Sequence, residues 1–433
     1  MRWALARWLL AALAVAPRSA AGDDEFIAGA DMSHLVFFED RGVVYRESGR
    51  GRDALLLLKE RGLNCVRLRL FTSDAQQAAA NPYNSANNLD YTLPLAVRVK
   101  RAGLQLLLDF HYSDSWADPG KQTKPAAWTN LTFAQLEQRM YEYNSNTIAA
   151  FQAAGALPDI VQVGNEVIGG VLWPEGRVGG AFETPAQWSQ FGRLLKAAIR
   201  GIKDAAAGSS PRIMIHIDRG GDWSGTQWFF DRLQQQQVEF DLIGLSYYPW
   251  WHGSLNALRT CLRNAAQRYS RPIVVAETAF PWTNAADIFG IPATPAGQVE
   301  FVIEVAKILK SLPGRRGAGL VWWGTEYQWV PGVALAGFDQ RSFFDRSGEI
   351  LPVASAVGQL TAPVRLHARW EGGTLELNWP LSGAGWSLVS VTHLGAVDGW
   401  LRVTNAVEEG LEGFKVRVPD RADQSRFFRL RAD

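Results

Sequence analysis

Short apolar runs alternate with longer amphipathic stretches from Phe26 to about Leu360, and this alternation restricts the fold more than any other feature of the sequence. Eight apolar runs have the length of strands: Phe26–Ser33, Cys65–Phe71, Leu104–Ser113, Ile160–Val167, Arg212–Arg219, Asp241–Pro249, Pro272–Ala279 and Gly319–Tyr327. Apolar residues at helical spacing mark stretches between them, which include Gly51–Arg61, Thr92–Ala102, Thr132–Ala154, Ala186–Ala207, Leu255–Tyr269 and Gln298–Leu312. Eight alternations in about 330 residues predict an α/β fold, a closed (β/α)8 TIM barrel. No glycine-rich dinucleotide or phosphate loop follows the first run, which disfavours an open doubly wound sheet.

The start of the chain has a different character. Residues 1–21 combine basic residues, an apolar run from Trp8 to Ala16 and a region of small residues, which predicts a signal peptide removed on export. We therefore expect a secreted, periplasmic or cell-surface protein. The apolar run is too short to span a bilayer, and no later run reaches the necessary ~20 residues.

After Leu360 the sequence changes to short alternating runs such as Leu375–Trp379, with glycine-rich breaks and no helical pattern. This predicts that the barrel occupies residues 22–360 and that residues 361–433 form a small all-β C-terminal module. Two roles remain open for the module. It either stabilises the barrel, or it binds carbohydrate or attaches the protein to a cell surface.

Charge and composition limit the possible partners. Lysine and arginine number 44 and aspartate and glutamate 43, so the sequence carries no basic field that would attract nucleic acid or an anionic membrane. We expect a neutral substrate. We also expect the protein to be a monomer. The 18 tryptophans exceed what a core needs, and exposed indoles commonly stack on sugar rings.

Cysteine and histidine patterns argue against metal chemistry. The two cysteines, Cys65 and Cys261, fall on separated sectors of the predicted barrel, so we expect two free buried thiols rather than a disulfide. No His-Glu-x-x-His motif or repeated cysteine spacing indicates zinc. We expect no cofactor, and we leave a structural calcium ion open.

Polar residues gather at the carboxyl end of every predicted strand, which is where barrel enzymes place their reactive groups. In chain order these residues are Asp31; Arg67 and Arg69; Asp109, His111 and Asp114; Asn165 and Glu166; His216 and Asp218; Tyr247 and Tyr248; Glu277; and Trp322 and Trp323. A barrel that serves only as a scaffold has no need of such groups, because buried charges cost several kcal/mol unless they are paired.

Glu166 and Glu277 end the fourth and seventh strands, so they face one another across the barrel mouth. Such a pair suits double displacement at a glycosidic bond, with Glu277 as nucleophile and Glu166 as acid/base. We expect Arg69 to reach Glu277 and keep it ionised, while the charge of Glu277 holds a proton on Glu166. Asn165 is expected to bind the sugar 2-hydroxyl, and Trp323 to form a sugar platform.

The same strand ends resemble the arabinogalactan endo-β-1,4-galactanases, glycoside hydrolase family 53, a retaining barrel family. The segments that carry the resemblance are Gly29–Ser33, Arg67–Arg69, Asp109–Gln122, Val163–Glu166, Ile243–Pro249, Trp251–Gly253, Ala276–Ala279, Pro292–Gln298 and Phe344–Asp345. The resemblance implies internal cleavage of the β-1,4-galactan side chains of pectin, with retention at the anomeric carbon. It also implies that a set of barrel-mouth residues shapes the subsites around the scissile bond: His111, Asp114, Trp116, His216 and Tyr247. Asp31 and Arg69 are further expected substrate contacts, together with Asn165 and Trp323.

Several alternatives remain open from the sequence. His111 and His216 could equally be hydrogen-bonded core histidines, and Trp250, Trp251 and Trp329 could contact either sugar or the core. The family usually continues its strand-eight tryptophan with Glu-Pro-Ala-Trp, whereas Gly324–Trp329 follows Trp323 here, so chain-length preference can differ. The loop Pro281–Gly290 is short and shows no clear calcium cluster. The rival functions are a related hydrolase of mannan or xylan and a non-catalytic carbohydrate-binding protein.

Overall fold

A closed barrel of eight parallel strands forms the centre of the protein, which confirms the predicted (β/α)8 fold. The computed structural model describes residues 25–206, 208–393, 399–419 and 425–432. The barrel strands are β1 (Ile27–Asp31), β2 (Cys65–Leu70), β3 (Gln105–Phe110), β4 (Ile160–Val163), β5 (Arg212–Ile217), β6 (Leu242–Ser246), β7 (Ile273–Thr278) and β8 (Gly317–Trp322). Each strand pairs with its neighbours in the sequence, and β8 closes the barrel on β1.

Helices surround the barrel and connect its strands. They are α1 (Leu35–Glu39), α2 (Ala54–Glu60), α3 (Ala75–Ala80), α4 (Pro82–Ser85), α5 (Leu89–Arg101), α6 (Phe133–Ala153), α7 (Pro185–Ala205), α8 (Trp223–Gln235), α9 (Pro249–His252), α10 (Leu255–Tyr269), α11 (Pro295–Lys310) and α12 (Pro352–Gly358). The helix α8 was not among the helical stretches named from the sequence. It begins at Asp222, whose side chain accepts a hydrogen bond from the backbone N–H of Gly225 and so caps the first turn.

The side chains inside the barrel change from apolar to polar along each strand. An apolar cluster to which all eight barrel strands contribute contains Ile27, Cys65, Leu107, Ile160, Met214, Leu242, Val274, Ala276 and Val321. Because alternate residues of a strand face the same side, the residues two and four positions further on also point inward. These positions carry the polar strand-end residues, including Arg67, Asp109 and His216. The fold therefore places a polar mouth on an apolar floor.

Most strands end close to the limits that the sequence indicates, but β4 ends early. It stops at Val163, whereas the apolar run continues to Val167. Gly164 has φ +92° and Glu166 has φ 49°, and both values lie outside the extended region of a strand. The backbone therefore turns at the point where the fourth strand reaches the barrel mouth.

Two small antiparallel sheets follow the barrel, as the alternating pattern predicts. Their strands are β9 (His367–Glu371), β10 (Thr374–Trp379), β11 (Trp386–Val391), β12 (Leu401–Arg402), β13 (Val407–Gly410), β14 (Gly413–Pro419) and β15 (Phe427–Ala432). One sheet has the order β9-β10-β14-β13 and the other β12-β11-β15. Trp379 of β10 and Phe414 of β14 are cross-strand neighbours in the first sheet, and their rings stack with centroids 5.6 Å apart. The Lys307 ammonium on α11 pairs with Glu409 of β13, so the sheets rest against that helix.

Both cysteines are free and buried, as the sequence predicts. Burial raises the pKa of the Cys65 and Cys261 thiols to about 12. The predicted signal peptide, residues 1–21, lies outside the described residues. In the described part of the chain, no helix is both long enough and apolar enough to cross a membrane.

The close packing of α6 on α7 provides a test of the helical shell. A Cβ atom at Gly201 would lie 2.4 Å from the carbonyl oxygen of Tyr141, so a larger residue must push the two helices apart. We expect Gly201→Val to destabilise the protein by about 1–3 kcal/mol, the usual cost of overpacking. Urea unfolding measures the effect, with Lys203→Val on the exposed face of α7 as the matched control. Equal stability of the two variants would contradict the packing described here.

Candidate active site

Strand β6 and the residues that follow it hold both of the glutamates that the sequence singles out. Ser246 donates a hydrogen bond to Glu166 Oε1 at 2.6 Å, and the Tyr248 hydroxyl donates to Glu277 Oε2 at 3.0 Å. Ser246 and Tyr248 are two positions apart, so their side chains point to the same side of the backbone. One short segment thus fixes the two carboxylates relative to each other.

Arg67 lies at the centre of the site and is almost completely buried, with a side chain 1% exposed. Its guanidinium forms ion pairs with Asp31, Asp109 and Glu277, each at 2.8 Å. Asn165 Oδ1 also accepts a hydrogen bond from Nη2 at 2.9 Å. A planar guanidinium has five N–H donors in a fixed fork, which allows one cation to serve several acceptors.

The expectation that Arg69 reaches Glu277 is wrong, because Arg67 occupies that position. Arg69 instead donates to Asp31 Oδ1 at 3.2 Å, and its guanidinium lies 4.1 Å from the ring centroid of Trp116. Both arginines point inward by the alternation of the strand. Arg67, two residues earlier in the strand, is the one whose guanidinium contacts the Glu277 carboxylate, at 2.8 Å.

A network of buried polar side chains supports Glu166 through Ser246. His216 Nε2 lies 2.8 Å from Ser246 Oγ, and its Nδ1 lies 3.0 Å from Gln162 Nε2. Because the Ser246 hydroxyl donates to Glu166, it must accept from His216, which assigns the proton to Nε2. Nδ1 is then free to accept from the Gln162 amide and from the backbone N–H of Glu166 at 3.4 Å. Burial holds the pKa of His216 well below its usual range, so this imidazole is neutral.

The backbone at Glu166 is in the left-handed region, with φ 49° and ψ 51°. Few residues other than glycine adopt this conformation, and it costs of order 1–3 kcal/mol. The strain is held by the interactions of its neighbours, because Asn165 donates from Nδ2 to the Ala117 carbonyl at 2.9 Å and Gln122 donates to the Asn165 carbonyl at 2.8 Å.

The environments of the two glutamates raise their pKa values to different extents. Burial raises the pKa of Glu166 well above its usual range, and the negative charge of Glu277 adds to this shift. Burial also raises the pKa of Glu277, but the Arg67 guanidinium and the Tyr248 hydrogen bond oppose it. The pair therefore loses its first proton from Glu277, and the remaining proton stays on Glu166.

Aromatic rings border the mouth on the side of β8. Trp116 and Trp323 are both partly exposed, with ring centroids 6.1 Å apart. The indole N–H of Trp116 donates to Asn84 Oδ1 at 2.9 Å, while the Arg69 guanidinium covers its face. Trp323 packs edge to face against Phe338 at 4.2 Å. These contacts place both indoles beside the carboxylates, in positions that suit stacking on a sugar ring.

Three predicted substrate contacts are corrected by the structure. Tyr247 is fully buried and faces away from the mouth, with its hydroxyl donating to the Gly253 carbonyl and its ring stacked on Phe301. His216 lies behind Glu166, and Asp31 lies beneath Arg67 and Arg69, so neither side chain is exposed. The residue that faces Glu277 is Tyr248, one position beyond the predicted tyrosine.

The loop after β3 is held by two of the predicted residues. His111 Nδ1 accepts from the Ala117 backbone N–H at 2.9 Å, and its Nε2 lies 3.0 Å from Asp109. Burial lowers the pKa of His111 despite the opposing effect of Asp109, so the ring is neutral with its proton on Nε2. Asp114 accepts from Thr72 and from the backbone N–H of Ala126. Its contacts therefore hold the loop that carries Trp116.

The segment that departs from the family pattern is folded inward. Glu326 is fully buried and accepts the backbone N–H of His34 at 2.6 Å. Burial and the charge of Asp31 raise the pKa of Glu326 to about 8. The neighbouring Tyr327 hydroxyl lies 3.1 Å from His34 Nδ1. Trp329, at the end of the segment, is exposed.

Metal ligands do not cluster in the described part of the chain. No group of three or more histidine, cysteine, aspartate or glutamate side chains there is arranged to hold a metal ion. The charged side chains of the site instead pair with one another through Arg67.

Ser246, Tyr248 and Gln162 are site residues whose roles the sequence did not reveal. For Arg67 the sequence predicts support of Asp31 or Asp109, which the ion pairs confirm, but not the contact with Glu277. Counting by twos along each strand would have found the first three. Ser246 and Tyr248 alternate with Gly244, and Gln162 alternates with Ile160, which belongs to the apolar floor.

Comparison with known proteins covers all eight barrel strands. The chain matches the model of Glycosyl hydrolase family 53 over residues 27–357. A Niallia circulans relative, "Uncharacterized protein in bgaB 5'region", is 43% identical over 324 residues, which are 71% of this chain and 85% of that protein. An arabinogalactan endo-beta-1,4-galactanase of Thermothelomyces thermophilus is 36% identical over 338 residues, 75% of this chain and 96% of that protein. A solved fungal beta-1,4-galactanase structure aligns with a TM-score of 0.68 at 34% identity, covering 77% of this chain and 99% of that one.

Removal of Arg67 tests its position at the centre of the site. Arg67→Met leaves three buried carboxylates without their shared cation, and losing one partner of a buried ion pair typically costs about 3–5 kcal/mol. We expect a loss of that size in the free energy of unfolding, together with loss of activity. Urea unfolding measures it, with Arg61→Met, whose partner Glu47 is partly exposed, as the control. A variant as stable as the parent would contradict this assignment.

Proposed function

The chain belongs to glycosyl hydrolase family 53, and we propose that it is an endo-β-1,4-galactanase that cleaves internal β-1,4-galactosidic bonds of type I arabinogalactan with retention. The observation that carries the mechanism is the support of both glutamates by one segment, through Ser246 and Tyr248. The substrate follows from the relatives named as galactanases, which share 33–37% of their residues with this chain.

In the first step, the Glu277 carboxylate attacks the anomeric carbon of the bound galactose unit. The bond from this carbon to the glycosidic oxygen breaks as Glu166 gives its proton to that oxygen, and the shortened chain leaves as an alcohol. The product of the step is a galactosyl ester of Glu277. Arg67 and Tyr248 pair with the attacking carboxylate beforehand and so fix its orientation.

In the second step, Glu166 is a carboxylate and accepts a proton from an incoming water molecule. The water oxygen bonds to the anomeric carbon while the ester bond to Glu277 breaks. Two inversions give net retention. Both steps need only two carboxyl groups and water, so the reaction draws on no cofactor.

The neutral His216 has a positioning role in this scheme. Its Nε2–H donates to Ser246, which keeps the serine hydroxyl turned toward Glu166. A charged imidazole at this position would lower the pKa of Glu166, so Glu166 would lose the proton that it must donate. Burial of the ring prevents that charge from forming. We propose that Asn165, whose amide is held by Arg67 and the Ala117 carbonyl, contacts the 2-hydroxyl of the sugar.

The setting in which the enzyme acts is also part of the proposal. The basic and apolar pattern of residues 1–21 supports export, followed by action outside the cell, in the periplasm or at the cell surface. A soluble polymer substrate requires no partner subunit, and the site is built from residues of one chain. We therefore propose that the enzyme works as a monomer.

The substrate is tested with a panel of β-1,4-galactan, β-1,3-linked galactan, mannan and xylan. We expect the parent to shorten β-1,4-galactan from within the chain and to release products in the β configuration at first, as nuclear magnetic resonance would detect. Glu277→Ala should lose at least about 10⁴-fold in activity, because it removes the nucleophile. Glu300→Ala, on the exposed face of α11, is the control. Cleavage of mannan or xylan instead of galactan would overturn the proposal.

Separate changes at Tyr248 and Ser246 should move opposite limbs of the pH profile. Tyr248→Phe removes a hydrogen bond that lowers the pKa of Glu277, so the acid limb of kcat/KM should shift to higher pH. Ser246→Ala removes a hydrogen bond that lowers the pKa of Glu166, so the alkaline limb should also shift to higher pH. Each variant is measured over the full pH range. The roles of the two glutamates would be reversed if each variant moved the other limb.

A further inference from the structure

An exposed indole lies three residues after Tyr248, the tyrosine that contacts the proposed nucleophile. Trp251 is 64% exposed, although it lies only five residues beyond Ser246 at the barrel mouth. Its ring centroid is 5.2 Å from that of Tyr248, in an edge-to-face arrangement. The Tyr248 hydroxyl in turn contacts Glu277. Single exposed apolar residues are common on protein surfaces, so exposure alone carries no function.

The backbone around Trp251 is firmly held. The short helix α9 begins with Pro249, and the His252 backbone N–H donates to the Tyr248 carbonyl at 2.8 Å. The His252 ring closes the same turn, since its Nδ1 accepts the Tyr248 backbone N–H at 2.9 Å. After the helix, the Gly253 carbonyl accepts from the Tyr247 hydroxyl at 2.8 Å. The exposed indole is therefore presented by a fixed turn.

The neighbouring indole fixes the ring itself. Trp250 contacts Trp251 edge to face at 5.5 Å, and the Arg341 guanidinium covers Trp250 at 4.3 Å. Trp251 thus packs against Trp250 and Tyr248. A ring held in this way loses little conformational freedom when a ligand stacks on it, which favours binding.

Aromatic contacts connect this position to the other side of the mouth. Phe338 lies 4.2 Å from Trp323 and 6.1 Å from Tyr248, measured between ring centroids. The row therefore runs from Trp323 through Phe338 and Tyr248 to Trp251, and it passes beside Glu277. A chain that is cut internally must contact the enzyme on both sides of the cleaved bond, and this row extends along the mouth to a second exposed indole.

We propose that Trp251 is a binding platform for a galactose unit of the polymer, at the end of the site away from Trp116 and Trp323. The axial 4-hydroxyl of β-galactose leaves one face of the ring with a continuous row of C–H groups, which suits stacking on an indole. This inference rests on the proposed galactanase function. It adds a contact to a galactose unit other than the one bound between the two carboxylates. Only substrates long enough to reach Trp251 would make this contact.

The experiment compares Trp251→Ala and Trp251→Phe with the parent on soluble β-1,4-galactan. We expect Trp251→Ala to lower kcat/KM about tenfold, mainly through KM, which corresponds to about 1.4 kcal/mol of lost contact. Trp251→Phe keeps a smaller ring and should lose less. The products from β-1,4-galactohexaose should also change, because one end of the chain loses its anchor.

The matched control is Trp370→Ala, which removes an indole that is 54% exposed on β9 of the C-terminal sheets. Unfolding temperature is measured for every variant, and it should not change because both indoles are exposed. A parent that does not cleave β-1,4-galactan overturns the proposed function and this inference together. An active parent with Trp251→Ala unaltered in KM and product pattern, or no more impaired than Trp370→Ala, overturns the platform alone.

Discussion

The buried positive charge of Arg67 is the interaction on which the rest of the site depends. Asp31, Asp109 and Glu277 come from three different strands, and each would be costly to bury as an unpaired anion. Burial alone would raise the pKa of Asp109, yet Arg67 and His111 outweigh it and the pKa of this carboxyl is lowered. One guanidinium therefore makes it possible for a barrel to contain several ionised carboxylates below its mouth.

Residues of a third strand segment hold both Glu166 and Glu277, and this arrangement limits changes in the distance between the two carboxylates. If each carboxylate were positioned only by its own strand, small movements of β4 and β7 would change the gap between them. Ser246 and Tyr248 belong to one segment and contact both. The spacing of two groups that must act on the same bond is therefore set by a short piece of backbone, which preorganises the site before substrate binds.

The sequence was sufficient for the barrel and for the two glutamates, because eight alternations and the polar strand ends are properties of the chain itself. It was less reliable for the supporting residues. Choosing Tyr247 over Tyr248 is an error of one position, and in a strand one position reverses the side to which a residue points. Choosing Arg69 over Arg67 is a different kind of error. Both point inward, and only the three-dimensional depth of Glu277 decides which one it meets.

The two buried thiols have a practical consequence for an enzyme proposed to act outside the cell. With a pKa of about 12, Cys65 and Cys261 carry almost no thiolate at neutral pH, and the thiolate is the form that reacts with disulfides and oxidants. The folded chain is thus resistant to mispairing and to thiol oxidation. It is also well suited to labelling, because a cysteine introduced on the surface would be the one reactive thiol, and a fluorophore placed beside the mouth would report on polymer binding.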